Sequence, residues 1–176
     1  ARLHARHATR TSPACWGALE ASRSPAHYVD VLRSSGGLAV PEAAIAIDLD
    51  ALESWLRETW RATCMEFASW HPLRWRDAYR WSAVLPDLAT LEWLRDARTL
   101  PAWLAHDAAF APLVAASPDE RAAVLASSAF APLTAHWVAR RPLVDAWRTH
   151  WHATWPAGDT AARSRLVRLE SLVLRA

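Results

Sequence analysis

The densest group of side chains able to do chemistry is Trp70-His71-Pro72-Leu73-Arg74-Trp75-Arg76, extended by Arg80-Trp81. Indole faces stack on nucleobases and guanidinium groups neutralise phosphates, so the segment holds the ingredients of a single-strand nucleic-acid binder. The same ingredients make cation–π contacts that tie helices together. At helical spacing Trp75 and Trp81 fall on different faces, and Asp77 and Asp87 dilute the positive charge. That pattern favours the structural use over nucleic-acid binding.

No other constellation specifies a reaction. His150 and His152 are two apart, which on a helix points them away from one another, and no HExxH or ExxH spacing occurs. His4 and His7 have i, i+3 spacing but read as a solvated terminal pair, and His71 before Pro72 reads as a helix-end residue. Asp48, Asp50, Glu53 and Glu58 spread around a helix instead of converging, so a two-carboxylate mechanism has no local support. No serine sits in GxSxG, and four glycines do not make a phosphate-cradling loop. Cys15 and Cys64 form no CxxC pair, which points away from a metal or redox motif and towards a reducing compartment. Catalytic residues, metal ligands and cofactors are accordingly expected to be none.

Composition bounds the rest. The chain has 176 residues with twelve tryptophans and no lysine, asparagine or glutamine, and twenty cations face eighteen acids for a formal net charge of +2. Interspersed charges of both signs read as a solvated surface and not as a nucleic-acid patch. No apolar run of about twenty residues is present to span a bilayer. The expectation is a cytoplasmic protein that meets a membrane only through another subunit; whether it takes a small-molecule ligand is left unknown.

The elements that must position these groups read as helical throughout. Helix formers dominate and prolines stand where helices begin. The sequence predicts an all-α, single-domain bundle over residues 1–176, with about eight to ten helices, several short, and one long helix around 41–70. Shorter helices are expected at Arg2 to Thr9, Pro13 to Ala21, and from Ser24-Pro25 to Gly36-Gly37. In the long helix Ile45, Leu49, Leu52, Leu56, Trp60, Thr63, Phe67 and Trp70 share a stripe that predicts the core face. Trp55 lies off that stripe. Leu73 to Val84 carries Trp75 and Tyr79 on one side and Trp81, Leu73 and Val84 on the other, the pattern of a sandwiched helix. Further helices are expected from Asp87 to Arg98, from Pro101 to Ala109, and from an N-cap at Ser117 to Ser128. Two copies of Ala-Phe-Ala-Pro-Leu, at 109–113 and 129–133, predict a repeated turn in which Phe anchors one helix end and Pro opens the next. Trp137, Val144, Trp147, Trp151 and Trp155 keep a common face across Pro142, as a kinked helix or two collinear ones would. A last amphipathic helix from Asp159 carries Leu166, Leu169 and Val173.

Most tryptophans extend core stripes; Trp60, Trp70 and Trp151 are assigned to the core. Trp55 and Trp93 fit a core face poorly, so these two with Arg74, Trp75, Arg76, Arg80 and Trp81 are the candidate interaction residues. Ala1-Arg2-Leu3-His4-Ala5-Arg6, then Tyr28-Val29-Asp30-Val31-Leu32-Arg33, then Leu52-Glu53-Ser54-Trp55-Leu56-Arg57 in a long helix together resemble the helical units of the C/d subunit of V-type and A-type rotary ATPases. The likeness covers residues 1 to 110. It implies a non-catalytic subunit coupling soluble and membrane parts, with no catalytic residue to carry over. The functional expectation is a structural or adaptor subunit whose partners are other protein subunits. A helical enzyme or cofactor binder with a Trp/Arg/His-lined pocket, and a single-stranded nucleic-acid binder through Arg74 to Trp81, are the alternatives.

Overall fold

The computed structural model describes residues 12–34 and 49–156. Among these the protein is all-helical, with nine α-helices and no strand. They are α1 (Pro13–Glu20), α2 (Pro25–Ser34), α3 (Leu49–Trp70), α4 (Leu73–Ser82), α5 (Asp87–Arg95), α6 (Ala111–Ala115), α7 (Arg121–Ala126), α8 (Thr134–Val138) and α9 (Leu143–Ala153), with single 3₁₀ turns at Ala102–Ala105 and Ala131–Leu133. The predicted helices at Arg2 to Thr9 and from Asp159, the Gly36-Gly37 stop, the His4/His7 pair and the start of the long helix at Pro41 lie outside the described residues. The chain divides into two compact units, Ala1–Leu56 and Arg57–Ala176, and the boundary falls within α3.

In the first unit the helix starts follow side-chain chemistry. The Ser12 hydroxyl accepts from Cys15 N at 3.2 Å and opens α1 with Pro13 in its first turn. Ser24 Oγ accepts from His27 N at 3.3 Å and does the same for α2 ahead of Pro25. Each cap satisfies a backbone N–H that has no intrahelical partner and contributes about 1 kcal/mol. Leu19, Val29 and Leu32 are buried, and Val29 packs on Leu52 with Trp55 and Leu56 at their side.

The second unit holds the larger core, built from Leu91, Leu94, Leu104, Phe110, Leu113, Leu125, Phe130, Leu133 and Leu143, all buried to 2% exposure or less. Its helices are short because prolines punctuate them: Pro112 and Pro132 each occupy the first turn of a new element, where a missing N–H costs nothing. The repeated Ala-Phe-Ala-Pro-Leu turn is observed as expected. Phe110 and Phe130 meet at 5.5 Å, and Leu113 and Leu133 are completely buried. Helices α4 and α9 are clamped by indole N–H groups. Trp81 Nε1 donates to Trp147 O at 3.0 Å and Trp147 Nε1 donates back to Trp81 O at 3.2 Å. Trp151 Nε1 donates to Ala78 O at 3.0 Å. Each bond satisfies a buried indole N–H, so three tryptophans fix the register of two helices as well as filling space.

Several expected boundaries change. The predicted helix from Pro101 to Ala109 is only a 3₁₀ turn at Ala102–Ala105. There Asp107 Oδ1 accepts from Ala109 N at 2.8 Å and Phe110 N at 3.3 Å, so a side chain competes with the helical ladder and wins. Ser117 does not cap with its oxygen; its hydroxyl donates to Glu120 Oε2 at 2.6 Å, and α7 starts only at Arg121. That hydroxyl, followed by the Ser117 N–H, holds the Glu120 carboxyl below its ordinary value. The stretch around Pro142 is two helices, α8 and α9. Helix α8 ends in a Schellman turn, with Arg141 N on His136 O, Arg140 N on Trp137 O, and Arg140 at φ 52°. An identical turn ends α5, with Arg98 N on Trp93 O, Ala97 N on Leu94 O, and Ala97 at φ 53°.

Candidate functional site

Three stretches of the second unit each present two aromatic rings to one place. Trp60 and Phe67 are seven apart on α3, Trp75 and Tyr79 four apart on α4, and Trp151 and Trp155 four apart on α9 and its exit; both spacings put a pair on one helix face. With Thr63, Cys64, Ala78 and Ser82 these rings line an open cavity of about 200 Å³. Trp151 and Trp155 meet edge to face, 4.9 Å apart and 80° between planes, and form a right-angled corner.

Several polar atoms of the wall are already engaged with the protein. Trp60 Nε1 donates to Ser82 O at 3.0 Å, Ser82 Oγ to Ala78 O at 3.1 Å, and Thr63 Oγ1 to Thr59 O at 2.7 Å. Trp155 Nε1 is buried without a protein partner and is not offered to the open space. The wall is therefore almost wholly carbon. Burial pushes the Cys64 thiol up to about 11 and the Tyr79 hydroxyl above its ordinary value, because both charged forms would lose hydration. Tyr79 also stacks on His71, with ring centres 4.1 Å apart.

On the neighbouring face of α3 lies a buried ionic network. Arg57 Nη1 donates to Asp87 Oδ1 at 2.9 Å and to Pro86 O at 2.8 Å, and its guanidinium sits 5.1 Å from the Trp103 ring centre. Arg61 Nη2 contacts both Asp87 oxygens at 3.0 and 3.1 Å, and Arg61 Nη1 donates to Asp107 Oδ2. Burial opposes the charge on Arg61, but the hydrogen bond and charge of Asp107 and the charge of Asp87 outweigh it and raise its pKa. Burial is the largest influence on Asp87 and lifts its carboxyl; Arg61 and then Arg57 pull it partly back. Two acids facing two arginines form a self-neutralising structural cluster.

A second cavity, of about 340 Å³, borders this network and brings together Arg61, Asp77, Arg80, Trp81, Asp87 and His150. The predicted interaction residues are thus divided between environments. Trp75 lines the first cavity, while Trp81 is buried against α9 with the His150 ring edge-on at 4.5 Å. Arg74 is exposed, Arg76 donates through Nε to His71 O at 3.0 Å, and Arg80 pairs with Asp77 at 3.2 Å. Trp93 stands 43% exposed on α5, and Trp55 is half-buried against Val29 and Leu52 in the first unit.

Two expectations about α3 are corrected. Leu49 and Trp60, both on the predicted core stripe, are 58% and 40% exposed. The fully buried positions in the later part of the helix are Cys64 and Ala68, in register with Arg57 and Arg61. Leu73, expected to face inward beside Trp81, is instead exposed. A hydrophobicity count misses the ionic face because it scores arginine as solvent-facing. The missed signal was two arginines four apart, followed at i+7 and i+11 from Arg57 by small apolar residues. Among the described residues no cluster of three His, Cys, Asp or Glu could hold a metal ion, and no helix is long and apolar enough to cross a membrane. No protein-family model, curated protein or solved structure matches the chain.

Proposed function

We propose that the protein is a non-catalytic helical subunit that makes protein–protein contacts within a larger assembly. One observation carries this reading: large aromatic side chains are left at the surface of both units. Trp16 in the first unit and Trp60 and Trp93 in the second are 55%, 40% and 43% exposed. Tryptophan is the residue most enriched among interface anchors. The groups that could serve catalysis support the same reading. Asp87 and Asp107, the buried acids among the described residues, are held by arginines and, for Asp107, by backbone N–H groups, which supports a structural use of these two carboxylates. The single-strand nucleic-acid reading has one indole fewer to stack on, because Trp81 is internal. A C/d-like place in a rotary ATPase is one assembly that would use such a subunit.

The test is affinity purification from the native host of wild type, Trp60→Ser and Trp93→Ser, followed by light scattering. A companion subunit in stoichiometric amount that a surface variant loses is the expected result. A strictly monomeric protein with no such companion, for wild type and variants alike, refutes the proposal.

A second reading, a binder of a small ligand, is favoured by the open aromatic cavity itself. Its volume exceeds the roughly 150 Å³ that holds a benzene molecule in an apolar protein interior.

A further inference from the structure

We infer that the aromatic cavity of the second unit is a site for a quaternary ammonium group, the trimethylammonium head of a small molecule. This shares Trp60 with the assembly role and deepens the small-ligand reading, on which it rests. The inference begins with what the wall is made of. Six of the ten lining residues are aromatic, and Ala78 is the one aliphatic side chain among them. The chain is rich in leucine, yet no leucine, isoleucine or valine lines the cavity. A site for a neutral hydrocarbon has no need of such selectivity. Aromatic faces carry partial negative charge, and a cation within about 6 Å of a ring centre is attracted to it.

The geometry suits a compact, near-spherical cation. Trp151 and Trp155 stand at 80° to one another; Trp147 stacks on the first at 5.0 Å and His152 on the second at 4.8 Å, so each ring has one face left to offer a group seated beside it. The pairs on α3 and α4 add further aromatic wall. Indole N–H groups of Trp60 and Trp151 are turned to the Ser82 and Ala78 carbonyls, which leaves ring carbon as the surface the cavity presents. The second unit already uses this attraction elsewhere, where Arg57 lies over Trp103. No arginine lines the cavity, although the His152 ring stacks on Trp155 at 4.8 Å and the His71 ring lies 4.1 Å from Tyr79.

Selectivity follows from the same wall. A primary ammonium brings three N–H donors that a carbon surface leaves unsatisfied. A quaternary ammonium has none, and its charge is spread over methyl groups of low desolvation cost. No carboxylate lines the site, so affinity comes from the rings and from buried methyl area alone.

The test uses the purified full chain, with saturation-transfer NMR on ligand methyl signals and calorimetry for affinity. The probes are choline, its neutral isostere 3,3-dimethylbutan-1-ol, and ethanolamine. Choline is expected to bind about fivefold or more tighter than the neutral alcohol, with no saturable binding of ethanolamine. Trp60→Leu, at a partly exposed position, and Trp75→Leu keep apolar volume but remove a π face. Each is expected to weaken choline by about fivefold while leaving the neutral alcohol within about twofold. Equal affinity for choline and the neutral alcohol overturns the cation assignment while leaving the small-ligand reading intact. Binding of neither overturns both. Sedimentation with phosphatidylcholine vesicles without binding of free choline overturns the assignment to a small molecule.

Discussion

Replacing Arg61 with methionine should destabilise the second unit by about 2–4 kcal/mol at neutral pH and progressively less in acid. Arg61 joins Asp87 and Asp107, whose side chains are each 3% exposed, so its removal strips each buried acid of a cation. Breaking a buried ion pair from one side costs about 3–5 kcal/mol. The Arg61 side chain is itself 24% exposed, so solvent screens part of the interaction and lowers the cost to about 2–4 kcal/mol. Methionine keeps the apolar stem, which separates lost charge from lost packing. For a unit of this size the cost corresponds to a fall in Tm of roughly 8–20 °C. The pH dependence follows from Asp87, whose carboxyl burial has already raised. A carboxyl raised by folding contributes stability below its unfolded value, about 3.9, and loses it as pH rises through the folded value. Without Arg61 the Asp87 carboxyl climbs further, so the loss grows. The gap between wild type and variant should therefore open from about pH 4 towards neutrality. Urea denaturation followed by circular dichroism at several pH values measures it. Adding Asp87→Leu to the variant should recover part of the loss, because Arg57 retains Pro86 O and the Trp103 face. A cost below about 1 kcal/mol, or one independent of pH, would refute this account of the network.

Three further outcomes test other parts of the structure. Trp81→Phe removes the N–H that reaches Trp147 O and leaves a gap beside α9, and should cost about 2–3 kcal/mol; Trp93→Phe on the surface should stay within about 0.5 kcal/mol in the same denaturation assay. Cys64, with its thiol pushed up to about 11, should react with iodoacetamide at pH 8 about a hundredfold more slowly than an unperturbed thiol. Peptide mapping should find Cys15 alkylated first, and equal rates would contradict the burial of Cys64. Ala97→Gly should raise stability by about 0.5–1 kcal/mol, because Ala97 holds φ 53° in the Schellman turn that ends α5. A destabilised variant would show that this left-handed turn carries no strain.

The places where sequence reasoning succeeds and fails share a physical cause. Prolines and capping hydroxyls act within a turn of themselves, so Pro13, Ser24, Pro112 and Pro132 were legible without knowledge of the fold. The Schellman turns at Ala97 and Arg140 were not, because their signal is ordinarily glycine and here the tertiary fold imposes the left-handed residue. Asp107 was invisible for a related reason: its side chain closes a local turn and also binds Arg61, which comes from 46 residues earlier. The α3 stripe failed in a more instructive way. Periodicity reports which face of a helix avoids water; it does not report what that face meets. Arginine breaks the pattern because its long stem and five donors can be buried against acids that lie far off in sequence. Trp60 and Phe67 satisfy the pattern without belonging to a packed core, because an aromatic ring can also line an open cavity. The tryptophan surplus therefore divides four ways: rings packed in the core such as Trp103 and Trp137, indoles that donate N–H bonds between α4 and α9, rings that stand at the surface, and rings that wall a cavity. The last two classes are where binding would act, and in composition and spacing they are indistinguishable from core.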